Sequence, residues 1–214
     1  MTPERAPVRL LLVEDHEMVL EAMQAALVTH RNIEVTAVAS SVQNATEVLK
    51  VTDVDLVVTD LRLGDGVGTE LVAVARTLNP APPVLLITGT DDQRGIEDAL
   101  DAGCAGFVSK SEGFDRLIEA IRAISTGGVF FHAVLLAQRL RPGATRVGAT
   151  LTTRELEVLQ LLARAMSVGD IAEDLVLSVH TVRNHIKQVL AKLQARSQLE
   201  AVVIGARNGL VEIT

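Results

Sequence analysis

Apolar residues in the first 125 positions occur in two alternating forms. Short unbroken runs at 8–13, 33–39, 55–59, 83–88 and 106–109 have the length and branched-residue content of strands buried on both faces. Between them, residues 17–29, 42–50, 69–78, 92–101 and 114–124 place apolar positions on one side only, which predicts amphipathic helices. Five such βα units imply an α/β domain with a parallel sheet covered by helices on both faces. After Thr126-Gly127-Gly128 the pattern changes. A helix over 133–140 is expected, and then residues 141–150 (RPGATRVGAT) carry Pro142, Gly143 and Gly148 with few large apolar groups, as a linker does. From Leu151 onward there is no strand pattern. Thr152 with Glu155 and Ser197 with Glu200 have capping-box spacing, and Ser167 and Ser178 are suited to cap the segments between, giving a small all-α domain of four short helices. The expected division is therefore 1–125, 126–150 and 151–214.

Polar residues at the ends of the predicted strands bring chemistry into the picture. Glu14-Asp15 follow the first run, Asp60 the third, Thr88 the fourth and Lys110 the fifth. In a parallel α/β sheet the carboxyl ends of the strands converge on one crevice where ligands bind. Three carboxylates, a hydroxyl and an ammonium brought together suit a divalent cation and a phosphoryl group. Asp60 is the candidate phosphoacceptor, because an aspartate forms a mixed anhydride only where a metal offsets the accumulated negative charge. Glu14, Asp15, Asp60 and the backbone carbonyl of Arg62 are the candidate ligands. With no His or Cys expected among these oxygens, Mg²⁺ is the expected ion. Thr88 and Lys110 would bind phosphoryl oxygens, and Gly89 would leave an access path.

Charge and composition narrow the partners. The net charge of −7 hides a division: residues 1–125 carry 10 Lys and Arg against 20 Asp and Glu, whereas residues 151–214 carry 7 against 7. Between Leu175 and Leu199 there is no acid at all, and Arg183, Lys187, Lys192 and Arg196 are basic. Trp and Tyr are absent, which disfavours stacking on unpaired bases. Over 178–193 the apolar residues Val182, Ile186, Val189, Leu190 and Leu193 form one stripe, opposite His180, Arg183, Asn184 and Lys187. A helix of this kind fits the DNA major groove, and the short apolar segment 168–175 before it is suited to be the first member of a helix-turn-helix. Cys104 is the single cysteine, so a disulfide within the chain is excluded. No apolar segment near the start has the length of a signal peptide or membrane span, so a cytoplasmic protein without membrane contact is expected.

These motifs resemble those of bacterial two-component response regulators. LLLVEDHEMV, LVVTDLRLGDGVG, LLITGT and GFVSK are similar to the receiver domain over residues 8–124. The segment LTTRELEVLQLLARAMSVGDIAEDLVLSVHTVRNHIKQVLAKL resembles the four-helix DNA-binding domain of LuxR/NarL-type regulators. The resemblance implies a flavodoxin-like five-stranded receiver, Mg²⁺-dependent phosphoryl transfer from a sensor histidine kinase to Asp60, and Phe107 as an aromatic residue that switches with Thr88. It also implies double-stranded DNA as partner. Arg183, Asn184 and Lys187 would face the groove, with His185 and Lys192 nearer the backbone. A homodimer on DNA is expected, with Leu199, Val202 and Val203 as candidate contacts or ordinary core.

The chain departs from the family at three places. Gly64 stands where a proline is common, and with Gly66 and Gly68 it is expected to loosen the loop after the acceptor. Arg62 and Thr90 occupy positions that tune phosphoryl lifetime in relatives. Val168-Gly169 replaces a polar pair that includes a lysine, implying one fewer phosphate contact. The implied function is a transcription regulator switched by phosphorylation rather than an enzyme. A phosphatase with an aspartyl nucleophile would need a second aspartate at position 62, which is Arg. The alternative is a receiver-like transcription factor regulated without phosphorylation by a ligand or partner protein.

Overall fold

A computed structural model describes residues 6–89, 93–131 and 151–212. The expected helix over 133–140, the linker 141–150 and Thr90 lie outside the described residues. Two compact units divide between Ile121 and Arg122.

In the first unit the apolar runs form the five expected strands, β1 (Val8–Val13), β2 (Ile33–Ala39), β3 (Leu56–Asp60), β4 (Val84–Thr88) and β5 (Gly106–Ser109). All pair in parallel, in the order β2-β1-β3-β4-β5. The intervening helices are α1 (Glu17–Leu27), α2 (Val42–Val51), α3 (Glu70–Arg76) and α4 (Gln93–Ala102), and α5 (Phe114–Ser125), which follows β5, runs past the division at residue 121. Leu10, Leu11, Leu12, Leu56, Val57, Val58 and Leu85 have no exposed surface, so the sheet is covered on both faces. Each such side chain contributes about 1.5–3 kcal/mol of burial. Cys104, 1% exposed, sits just ahead of β5, and burial pushes its thiol up to about 12. Strand β3 starts at Leu56 rather than Asp55. The Asp55 carboxylate instead accepts from the Arg9 amide at 2.9 Å and from its guanidinium at 3.0 and 3.2 Å, tying β3 to β1.

Because the strand order reverses between β1 and β3, the residues ending these two neighbours share one rim of the sheet. The loop after Asp60, with Gly64, Gly66 and Gly68, takes a defined conformation. It folds back as a small antiparallel hairpin in which Arg62 pairs with Val67 and Leu63 with Gly66. Gly68 is required by close approach: a Cβ there would stand 2.2 Å from the Asp60 carbonyl oxygen. At Gly66 a Cβ would stand 2.7 Å from Glu70 Oε1.

The second unit contains α6 (Thr153–Ala163), α7 (Val168–Asp174), α8 (Val179–Leu193) and α9 (Gln198–Arg207). Thr152 and Glu155 form the expected capping box, and Ser167 forms another with Asp170. Ser197 caps α9 through the Glu200 amide, but the Glu200 carboxylate accepts from the Arg196 amide, one residue before the cap. Helix α7 ends in a Schellman motif. The Leu177 amide donates to the Ala172 carbonyl at 2.8 Å and the Val176 amide to Glu173 at 3.2 Å. The left-handed residue of this motif, φ +53°, is Val176 rather than glycine. Helix α8 packs on α6, α7 and α9. Among the described residues, no helix is long and apolar enough to cross a membrane.

Candidate functional site

Glu14, Asp15, Asp60 and Lys110 meet at the carboxyl ends of β1, β3 and β5. Lys110 Nζ lies 2.6 Å from Asp60 Oδ2 and 3.0 Å from Glu14 Oε2. Glu14 is 1% exposed and Asp60 6%, while the lysine side chain keeps 38% of its surface, so two buried carboxylates share one half-open ammonium. Desolvation pulls the Lys110 pKa down, but hydrogen bonds to Asp60 and Glu14 outweigh it and leave the ammonium above its ordinary value. The Arg62 amide donates to Asp60 Oδ1 at 3.2 Å, which fixes the other carboxylate oxygen.

His16 belongs to this cluster, and the sequence reading missed it. Its Nδ1 is 2.9 Å from Glu14 Oε1 and 2.9 Å from Asp15 Oδ1. Hydrogen bonding to Glu14, then the charge of Asp15, raises the imidazole above its ordinary value. The expectation that no histidine joins these oxygens is therefore corrected. Position 16 directly follows the acidic pair, where the chain turns from β1 into α1, and that adjacency was the available signal. Glu14, Asp15 and His16 form a group with metal-ligand spacing. Two of the three are hard carboxylates, and Asp60 is linked to Glu14 through the Lys110 ammonium, so the donor set fits a hard divalent cation such as Mg²⁺.

Thr88 is 2% exposed at the end of β4, and its hydroxyl donates to the Gly89 carbonyl at 3.1 Å. Gly89 opens onto free space, as an access path requires. Phe107 is 1% exposed and pairs with Leu86 in the sheet, so in this state it fills the core.

In the second unit, Val182, Ile186, Val189 and Leu193 are buried along one side of α8. His180, Arg183, Asn184 and Lys187 are exposed, and His185 is half-buried at the margin. Helix α8 thus offers a cationic, hydrogen-bonding face, preceded by the short helix α7.

Residues 10–122 match the family model described as the response regulator receiver domain. Residues 149–204 match that of the bacterial regulatory proteins of the luxR family. The chain belongs to the response regulators. Among its relatives, the response regulator protein VraR of Staphylococcus aureus is 30% identical over 96% of this chain and 99% of its own. The transcriptional regulatory protein LnrK of Bacillus subtilis is 27% identical over 95% and 98%. The crystal structure of ChrA, a response regulator of a heme-sensing two-component system, superposes with a TM-score of 0.53 at 27% identity, covering 96% of this chain and all of that one. RcsB of Salmonella typhimurium shares the fold, with a TM-score of 0.58 at 22% identity over 92% and 97%. This response regulator therefore has a receiver domain and a LuxR-type DNA-binding domain, and is homologous to transcriptional regulators of two-component systems.

Other residues named for the DNA-binding domain have partners or places within it. Lys192 does not point its ammonium outward from the helix face. It donates to Glu155 at 2.7 Å, and Glu155 is 5% exposed, so the lysine neutralises a buried carboxylate between α8 and α6. Leu199 and Val202 have no exposed surface and Val203 has 3%, so of the two roles expected for these residues they fill that of domain core. Val168, at 2%, is likewise core and presents nothing to a phosphate.

Proposed function

We propose that this response regulator is switched by phosphorylation of Asp60 by a sensor histidine kinase, and that the switch governs binding of a homodimer to double-stranded DNA in the cytoplasm. The reading assigns residues 1–125 to the receiver, 126–150 to the linker and 151–214 to the DNA-binding domain. The observation that carries it is the Lys110 ammonium held between Asp60 and Glu14 at the switch point of the sheet.

An Asp60 oxygen attacks the phosphorus of the kinase phosphohistidine. A P–O bond forms as the P–N bond breaks, and the electron pair leaves with the imidazole. Glu14, Asp15, Asp60 and the Arg62 carbonyl would hold Mg²⁺, which offsets the charge of the incoming phosphoryl group. Lys110 would follow the added oxygens, and Thr88 would exchange its Gly89 partner for one of them. Phe107 would change rotamer with Thr88. In the DNA-binding domain, Arg183, Asn184 and Lys187 would read or hold the major groove, with His185 at its edge.

The test uses Asp60→Asn with a small phosphodonor and Mg²⁺. The wild type should form an acid-stable, base-labile acyl phosphate, and the variant should not. Stoichiometric labelling that persists in the variant removes Asp60 from the acceptor role. Protection of operator DNA that rises on phosphorylation in the wild type alone completes the test.

A further inference from the structure

The hairpin after Asp60 has only two residues in each strand, far too little to hold itself in place. Its base is tied by the Gly68 amide to the Leu61 carbonyl at 2.9 Å, and Val67 donates to Glu70 Oε1 at 3.1 Å. Its tip carries Asp65. That carboxylate reaches across to the start of α2, 22 and 23 residues away in sequence. Oδ1 accepts from the Val42 amide at 2.9 Å and Oδ2 from the Gln43 amide at 3.0 Å.

The first turn of α2 has three amides without helical partners. Its own cap, Ser41, takes only the third, that of Asn44, at 3.0 Å. The two remaining donors are filled by a residue of the hairpin, whose negative charge also suits the positive end of the helix. The helix start is thereby completed by the loop, and the loop is anchored by the helix. The side chain of Val42 supports the same contact, since it lies 3.3 Å from where a Gly66 Cβ would be.

We infer that Asp65 is a positioning residue for the phosphoacceptor: by fastening the hairpin tip to α2 it holds the Arg62 backbone against Asp60. The inference rests on the reading of Asp60 as acceptor. Arg62 is the first residue of the hairpin, its amide sets Asp60 Oδ1, and its carbonyl belongs to the proposed cation set. Releasing the tip therefore loosens a hydrogen bond to the acceptor and a cation ligand together. Asp65 does so without touching either the cation or the phosphoryl group.

The experiment compares full-length wild type, Asp65→Ala, Asp65→Asn and Ser41→Ala. Each is titrated with Mg²⁺ alone by calorimetry, then with acetyl phosphate at subsaturating Mg²⁺. Ser41→Ala weakens the same helix end but leaves the hairpin anchored, so it reports the purely structural effect. Asp65→Ala should weaken Mg²⁺ binding and slow acyl-phosphate formation by about tenfold, at the low end of effects seen for residues behind metal ligands. Amide exchange at Val42 and Gln43 should accelerate with it. Asp65→Asn keeps one acceptor oxygen and should fall between, which preserves the test if the alanine variant does not fold. The inference is overturned if the Asp65 variants match wild type in Mg²⁺ affinity and rate, or if Ser41→Ala costs as much. A wild type that takes no phosphoryl group on Asp60 brings down the phosphoacceptor reading and this inference with it. A labelled wild type with unaffected Asp65 variants brings down this inference alone.

Discussion

Lys110 and Asp60 are joined at 2.6 Å across 50 residues of chain, and the same ammonium also serves Glu14. Two buried carboxylates thus share a single cation. Replacing Lys110 with Met leaves the buried carboxylates without their main counter-charge. Denaturant unfolding in chelator should show a loss of about 1–3 kcal/mol, discounted for the lysine's partial exposure. Mg²⁺ should restore much of it, since an ion that binds only the native state adds stability by mass action. An equal loss with and without Mg²⁺ contradicts the proposed cation site.

Lys187 and Lys192 are both basic residues of α8, but Lys187 is exposed whereas Lys192 is bonded to the buried Glu155. Lys187→Ala should lower DNA affinity and reduce the slope of log K against log salt by about one contact. Lys192→Ala should leave that slope unchanged and destabilise the DNA-binding unit by about 1–3 kcal/mol, because Glu155 loses its partner. A reduced slope in Lys192→Ala returns that residue to the DNA interface.

Most of the fold was readable because its signals are local. Val8–Val13, Ile33–Ala39 and Gly106–Ser109 have the predicted bounds, and three of the four serine or threonine caps of the second unit behave as their spacing implied. What escaped depends on contacts between distant residues. Arg9 and Asp55 pair across 46 positions, and Glu155 claimed Lys192 from 37 positions away. Periodicity cannot report either. The acceptor loop hid a second kind of constraint: glycine suggests freedom, yet at Gly68 the Asp60 backbone leaves no room for a side chain. At the site, Glu14, Asp60 and Lys110 were legible from their strand-end positions, whereas His16 was passed over because it stands at a helix start.

Val176 adopts φ +53° with 89% of its surface exposed. A β-branched residue is poorly suited to the left-handed region, which costs about 1–2 kcal/mol for residues other than glycine. Val176→Gly should therefore raise stability by about 1 kcal/mol, partly offset by the added freedom of glycine in the unfolded chain. Val176→Asn should act in the same direction. Thermal unfolding of the variants checks this, and a lowered midpoint in both contradicts it.

Acid should loosen the DNA-binding unit through Glu155. Desolvation raises its pKa, but the bonds from Lys192 and Thr152 outweigh this and hold it below the ordinary carboxyl value. A depressed folded pKa gives stability that is fully present above the unfolded value and is lost as pH falls through the folded one. Comparing wild type with Glu155→Gln by denaturant unfolding, the difference should be constant down to roughly pH 5 and shrink below roughly pH 4. A difference that grows in acid reverses the sign and refutes the assignment.

The protonated, sealed thiol of Cys104 makes the receiver nearly inert to alkylating reagents at neutral pH, since thiolate is the reactive form. Any reaction there must wait for the corner between α4 and β5 to part. The rate of modification then serves as a clock for that opening, read from a chain with no other sulfhydryl to confuse it.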